Sequence, residues 1–175
     1  GERAFLNNER LTSVTLSSDV SSIGEYAFYK CTNLSSINVP EAVHEISDHA
    51  FDGCIHLEEV VLPDTVERIG ESAFYECTNL SSINLRLVRE IGKCAFYGCK
   101  KLRNAELESI RVVQARVFYC CCELRDVKFG SVESIGDSAF AGCSISNPQL
   151  PDTLKRIDDC AFGNCGMVEI PKSVE

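Results

Sequence analysis

The chain has 175 residues, 45% of them hydrophobic and 25% charged, which is the composition of one ordinary globular domain and excludes an intrinsically disordered segment. Lys and Arg number 17 against 26 Asp and Glu; the resulting net charge of −9 disfavours nucleic acid or an anionic membrane surface as main partner, since both reward clustered cations. No run approaches the roughly 18 apolar residues of a membrane span, so no membrane insertion is expected, and eleven cysteines are the one unusual count.

The chain opens in mid-pattern, because Gly1-Glu2-Arg3-Ala4 aligns with Gly24-Glu25-Tyr26-Ala27. From there Phe recurs at 5, 28, 51, 74, 96, 118, 140 and 162, at intervals of 23 and then 22. Ala precedes Phe at seven of the eight places, with Val117 at the other. Cys follows three residues later at 31, 54, 77, 99, 121, 143 and 165, and only Asn8 breaks that column. Three aligned columns over eight copies define a repeat array.

One unit spans residues 20–39. Val20 and Ile23 form an apolar pair that recurs as Val43/Ile46, Val66/Ile69, Val88/Ile91, Ile110/Val113, Val132/Ile135 and Leu154/Ile157. Gly24, Gly70, Gly92 and Gly136 follow it and predict a turn. Ala27, Phe28, Cys31 and Leu34 are spaced by three and four, which predicts one face of a short helical turn. Ile37 and Val39 then alternate with polar residues at the period of a half-buried strand. Pro40, like Pro63, Pro151 and Pro171, has no N–H with which to continue a ladder.

Later units change length. Those containing Arg86-Leu87, Glu108-Ser109 and Gly130-Ser131 are one residue shorter, so the slack lies in the turn after the strand. Pro148 stands where other copies have a strand residue, which predicts weakened pairing there. The last unit is compressed further. One unit buries too little to fold alone, whereas stacked copies share a core, with Phe and Cys running as internal ladders.

The unit L-x-x-I-x-[VL]-P-x-x-V-x-x-I-G-x-x-A-F-x-x-C resembles the BspA-like (Treponema-type) leucine-rich repeat, most closely at residues 57–77 (LEEVVLPDTVERIGESAFYEC). The departures are Val117 for Ala, Gln114 for Gly and the compressed final unit. The resemblance implies a right-handed leucine-rich-repeat solenoid of about eight repeats. A parallel β-sheet would form one face and short helical or 3-10 turns the other. It also implies a cell-surface or secreted protein used in adhesion.

The Cys ladder reads as reduced and structural, because side chains running in parallel are poorly placed for disulfides. Cys94 and Cys160 share another column, three coils apart. Cys120 and Cys122 are expected to be exposed, and Cys120-Cys121-Cys122 lacks the paired knuckles of a zinc site. His44, His49 and His56 fall in one unit as surface positions. No catalytic constellation, phosphate loop or cofactor site emerges, so the chain reads as no enzyme. Glu2, Glu25, Asp48, Glu71, Asp137 and Asp159 stand two residues before Ala. They read as favourable charge at helix N-termini, with a divalent-cation stripe as the alternative.

Two surfaces are candidates for binding. The outward strand positions are Ser36, Asn38, Glu59, Val61, Ser82, Asn84, Asn104, Glu106, Asp126 and Lys128. The other surface is the column after Phe, holding Tyr29, Tyr75, Tyr97 and Tyr119. Each also reads as plain surface: a solvated face for the first, an edge-on cover for the second. Asn33 and Asn79 head glycosylation sequons only in a eukaryotic secretory source. The preferred expectation is a protein-binding module with an unidentified protein partner, the alternative a spacer array. The missing end caps predict flanking repeats in a longer parent, or end-to-end self-association of this fragment.

Overall fold

The computed structural model describes residues 1–174 and contains no helix among them. In chain order its strands are β1 (Ser13–Val14), β2 (Ser36–Ile37), β3 (Glu45–Ile46), β4 (Glu59–Val60), β5 (Arg68–Ile69) and β6 (Ser82–Ile83). They continue as β7 (Glu90–Ile91), β8 (Asn104–Leu107), β9 (Val112–Val113), β10 (Asp126–Phe129), β11 (Ser134–Ile135) and β12 (Arg156–Ile157).

The strands fall into two parallel rows. The L-x-x-I-x-V stretch builds the first, in which β1 pairs with β2, β4 with β6, and β8 with β10. The V-x-x-I stretch builds the second, as β3–β5–β7 and β9–β11–β12, with Ile23 bridged to Ile46. The second row has seven rungs, Ile23 and six strands. The chain therefore winds about seven coils, not the eight suggested by counting Phe, because the first and last copies are incomplete.

The first row shows how residue type sets strand length. In the units with Pro40 and Pro63 the strand stops after two residues, and the turn closes from Val43 N to Pro40 O and from Val66 N to Pro63 O. In the shorter units that residue is missing and Leu85 or Leu107 takes over the acceptor role, so the slack does sit in this turn. β8 and β10 run four residues, whereas β6, also in a unit without Pro, runs two, because the Asn84 side chain takes the next rung. Around Pro148 no strand forms, and the first row ends at β10.

The third side corrects the helical expectation. Residues 24–34 make successive turns: Ala27 N bonds Gly24 O, Tyr29 N bonds Tyr26 O, Cys31 N bonds Phe28 O and Leu34 N bonds Cys31 O. The alternate amides reach the next coil, from Tyr26 N to Asp48 O, Phe28 N to Ala50 O and Lys30 N to Asp52 O. A helix cannot continue through this segment, because Tyr26 and Lys30 are left-handed, at φ 54° and 53°. Spacing of three and four fits a run of turns as well as a helix. The column two residues after Phe could have decided between them: it holds Asn7, Gly53, Gly98, Gly142 and Asn164, the residue types that tolerate φ > 0.

The glycines after the second row do open these turns, Gly24 O accepting from Ala27 N, Gly92 O from Ala95 N and Gly136 O from Ala139 N, but left-handed backbone is not the reason for glycine at Gly70 and Gly92. Gly70 and Gly92 are not among the residues at positive φ; they are small because the coils touch. A Cβ would lie 2.6 Å from Asp48 N at Gly70 and 2.5 Å from Glu71 N at Gly92.

One hydrophobic cluster fills the interior from Ile23 to Ala161. Its axis is the Phe column, in which rings from Phe5 to Phe162 stack at 5.1–5.4 Å with planes within 11° of parallel. Beside it each ladder thiol donates to the carbonyl of a Phe one coil back: Cys54 to Phe28 at 3.1 Å, Cys77 to Phe51 at 3.1 Å and Cys99 to Phe74 at 3.2 Å. A small side chain with a weak donor suits that position, and all eleven cysteines are free thiols.

Candidate functional site

The outward strand positions come together on the first row. Eight of the ten, from Glu59 to Lys128, line a shallow groove of about 410 Å³, while Ser36 and Asn38 lie outside it. Within the groove Val61 is 65% exposed, an apolar side chain with no cover. Glu59 accepts from the Ser82 hydroxyl at 3.2 Å. Lys128 donates to Glu106, and that hydrogen bond holds the Glu106 carboxyl below its ordinary range.

Asn38 and Asn84 spend their amides within the rod. Asn84 Oδ1 accepts from Leu62 N at 2.7 Å and its Nδ2 donates to Leu62 O at 2.8 Å; Asn38 does the same to Leu16 at 2.6 and 3.0 Å. The side chain thus replaces the next rung of the ladder. Where Glu106 and Lys128 occupy this position, the backbone supplies the rung itself, pairing Glu106 with Lys128 and Leu107 with Phe129.

On the third side Tyr75, Tyr97 and Tyr119 form a half-buried stack with ring centroids 4.6 and 4.9 Å apart. Their faces cover one another and only edges point outward. Tyr29 stands apart, edge-on to Tyr26, because Asp52 holds the intervening coil. There His49 stacks flat on Tyr26 at 4.7 Å and bonds Asp52 through Nδ1 at 2.8 Å. Burial pushes the Asp52 carboxyl up against the pull of that histidine. His44 and His56 reach backbone carbonyls of neighbouring coils, Thr65 O and Thr32 O.

The acidic column meets no helix N-terminus, since none exists. Asp48 instead accepts from Glu71 N at 2.8 Å, and Asp137 lies 3.5 Å from Arg116. Lys93 and Ala115 interrupt the column in mid-rod. Among the described residues no three His, Cys, Asp or Glu side chains converge as a metal site. Cys122 is exposed and Cys120 half-buried.

The strand-face and tyrosine readings missed a second, wider groove of about 820 Å³ along the second row, from Asp48 to Gln114. Ion pairs run along this row, within the groove and beyond both its ends. Arg68 lies 2.7 Å from Glu45 and 3.7 Å from Glu90; Glu133 lies 2.7 Å from Arg111 and 3.3 Å from Lys155. Exposed pairs of this kind contribute about 0–1 kcal/mol each, but opposite signs on adjacent rungs favour this register over a slipped one. The signal was present in the second middle position of V-x-x-I, where Glu45, Arg68 and Glu90 alternate in sign over three copies.

The family model for the BspA type leucine-rich repeat region matches this chain in six copies, over residues 1–87 and 44–169. Among solved structures, a Treponema pallidum leucine-rich repeat protein is 32% identical with a TM-score of 0.76, over 87% of this chain and 71% of that one. A leucine-rich cell surface protein from Faecalibacterium prausnitzii is 27% identical with a TM-score of 0.76, over 88% of this chain and 47% of its own. A Bacteroides ovatus leucine-rich repeat protein is 25% identical with a TM-score of 0.63, over 90% and 48%. The chain therefore spans about half the length of the last two. No curated protein sequence matches it.

Proposed function

This chain belongs to the BspA-type leucine-rich repeat family, and from that premise we propose that it is a non-catalytic protein-binding module of a cell-surface or secreted protein, with adhesion as its role. The observation that carries the reading is the first-row groove. It spans four coils, has mixed polarity, and contains Val61 as an uncovered apolar contact of the kind that protein interfaces bury. The related Faecalibacterium structure, described as a cell surface protein, supports the location.

The test is binding to a panel of purified extracellular-matrix proteins immobilised on a sensor. A matrix protein should bind the native chain and lose at least tenfold in affinity to Val61→Asp. Tyr75, Tyr97 and Tyr119 changed together to Ser would assign the contact to the third side if that variant alone loses binding. A spacer array is the second reading. It is favoured by Asn38 and Asn84, whose amides are already used between coils, and it predicts no binding across the panel.

A further inference from the structure

Because a solenoid converts chain position into height along its axis, uneven charge in sequence becomes banded charge in space. Residues 86–116 carry eight of the seventeen Lys and Arg but only three of the twenty-six Asp and Glu. This belt is +5 in a chain of −9, so the remainder is −14. Thirty-one residues make about one and a half coils, a band about 7 Å tall at the ~4.8 Å spacing of parallel strands. An acidic rod has a narrow basic waist.

The second-row groove crosses that waist. At this end it is lined by Arg89, Lys93 and Arg111, with Ile91 and Val112 below them. Lys93 has no carboxylate within 4.0 Å among the described residues, and Arg89 meets Glu67 only at 3.5 Å. Val112 is 44% exposed, an aliphatic side chain in the outward column that Arg68 and Glu90 occupy in the preceding coils, while Val113 beside it is buried with Ile69 and Ile91. Lys93 and the loosely paired Arg89 thus stand beside an uncovered aliphatic side chain, with Arg111 held by Glu133 at 2.7 Å at the far edge.

We propose that this end of the second-row groove binds an acidic, extended protein segment in which a carboxylate adjoins an apolar side chain. The carboxylate lies between Lys93 and the Arg89 and Arg111 guanidinium groups, and the apolar side chain covers Val112. A sulfated polysaccharide would satisfy the cations but leave Val112 bare. A second copy carries a net charge of −9 but offers no extended acidic segment free of the rod, so it does not fit the groove as such a segment does. The acidic flanks repel the segment on either side of the waist and so set its position along the rod. The proposal rests on the protein-binding reading but uses a different face.

The experiment is fluorescence anisotropy of the full chain with a labelled peptide alternating Glu and Leu, beside a peptide alternating Glu and Ser and a labelled heparin fragment. The Glu–Leu peptide should bind more tightly than the Glu–Ser peptide, and Val112→Ser should abolish that difference. Lys93→Glu with Arg111→Glu should weaken the Glu–Leu peptide at least tenfold, with thermal unfolding checked to show that the variant is folded. The screening length is ~30 Å at 0.01 M salt and ~8 Å at 0.15 M, so distant acids oppose binding only at low salt. Affinity should therefore be higher at 0.15 M than at 0.01 M.

Equal binding of the two peptides would overturn the proposal, as would heparin binding that is tighter than peptide binding and indifferent to Val112→Ser. Affinity that only falls as salt rises would overturn it too. Failure here with matrix binding still sensitive to Val61→Asp would remove this site alone. Loss of matrix binding with the peptide result intact would remove the first-row assignment alone.

Discussion

Raising the pH attacks the core through its thiols. Cys54, Cys77, Cys99, Cys121 and Cys143 are buried, and burial pushes each of them well above the ordinary thiol range. In the unfolded chain the same groups ionise near pH 8.5. The native state therefore holds protons that the unfolded state releases, and the stability present below pH 8.5 is lost as pH rises. The loss per thiol is about 0.8 kcal/mol at pH 9 and about 2 kcal/mol at pH 10. Five thiols lose about 4 and about 10 kcal/mol, the second figure comparable to the whole stability of an ordinary domain.

The assay is urea unfolding followed by circular dichroism from pH 7.5 to 10 in reducing buffer. The free energy of unfolding should fall with a slope approaching ~7 kcal/mol per pH unit at the alkaline end, since each proton contributes ~1.4. A Cys77→Ala, Cys99→Ala double variant starts lower but should show only about three-fifths of that slope. Stability that stays level between pH 8 and 10, or a slope unchanged in the double variant, would refute the reasoning.

Phe96 is fully buried between two rings, so Phe96→Ala should cost roughly 3–5 kcal/mol. Phe5 is 37% exposed with one stacked neighbour, so Phe5→Ala should cost under about 1.5 kcal/mol; equal melting temperatures would contradict a stacked interior. Asn84→Ala removes both bonds to Leu62 and should lower urea-derived stability by about 1–2 kcal/mol, an effect absent for the neighbouring exposed Arg86→Ala. Gly98 and Glu76 share one left-handed column at φ 71° and 52°, and they should respond oppositely. Gly98→Ala should destabilise by about 1 kcal/mol and Glu76→Gly should stabilise by a similar amount, read as shifts in melting temperature.

Stacking was legible because it depends on side chains that recur in every coil: Phe, its Ala neighbour and the thiol three residues on. The strand rows were legible for the same reason, and Pro40 and Pro63 marked the turns that follow the first row. The third side was not, since Ala27, Phe28, Cys31 and Leu34 face inward whether the backbone coils as a helix or steps through turns. What separates the two is backbone hydrogen bonding to the next coil, a contact about 22 residues away that leaves only a faint trace in Gly and Asn. The candidate surfaces divided similarly. Outward positions could be named from alternation, but the commitment of Asn38 and Asn84 to the neighbouring coil depends on side-chain direction. The wider groove went unseen because its residues, such as Arg68, Glu90 and Val112, differ in type between copies and so form no column that recurs in the sequence.

Alternate amides of the third side all point the same way, from each coil to the one that follows, parallel to the long axis. Tension applied at the two ends would therefore load the coil-to-coil interfaces in series, each carrying the same force, so that the weakest coil opens first. Each released coil pays out ~75 Å of extended chain for 22 residues. Under such tension the rod would lengthen coil by coil, an extensible tether as well as a stack.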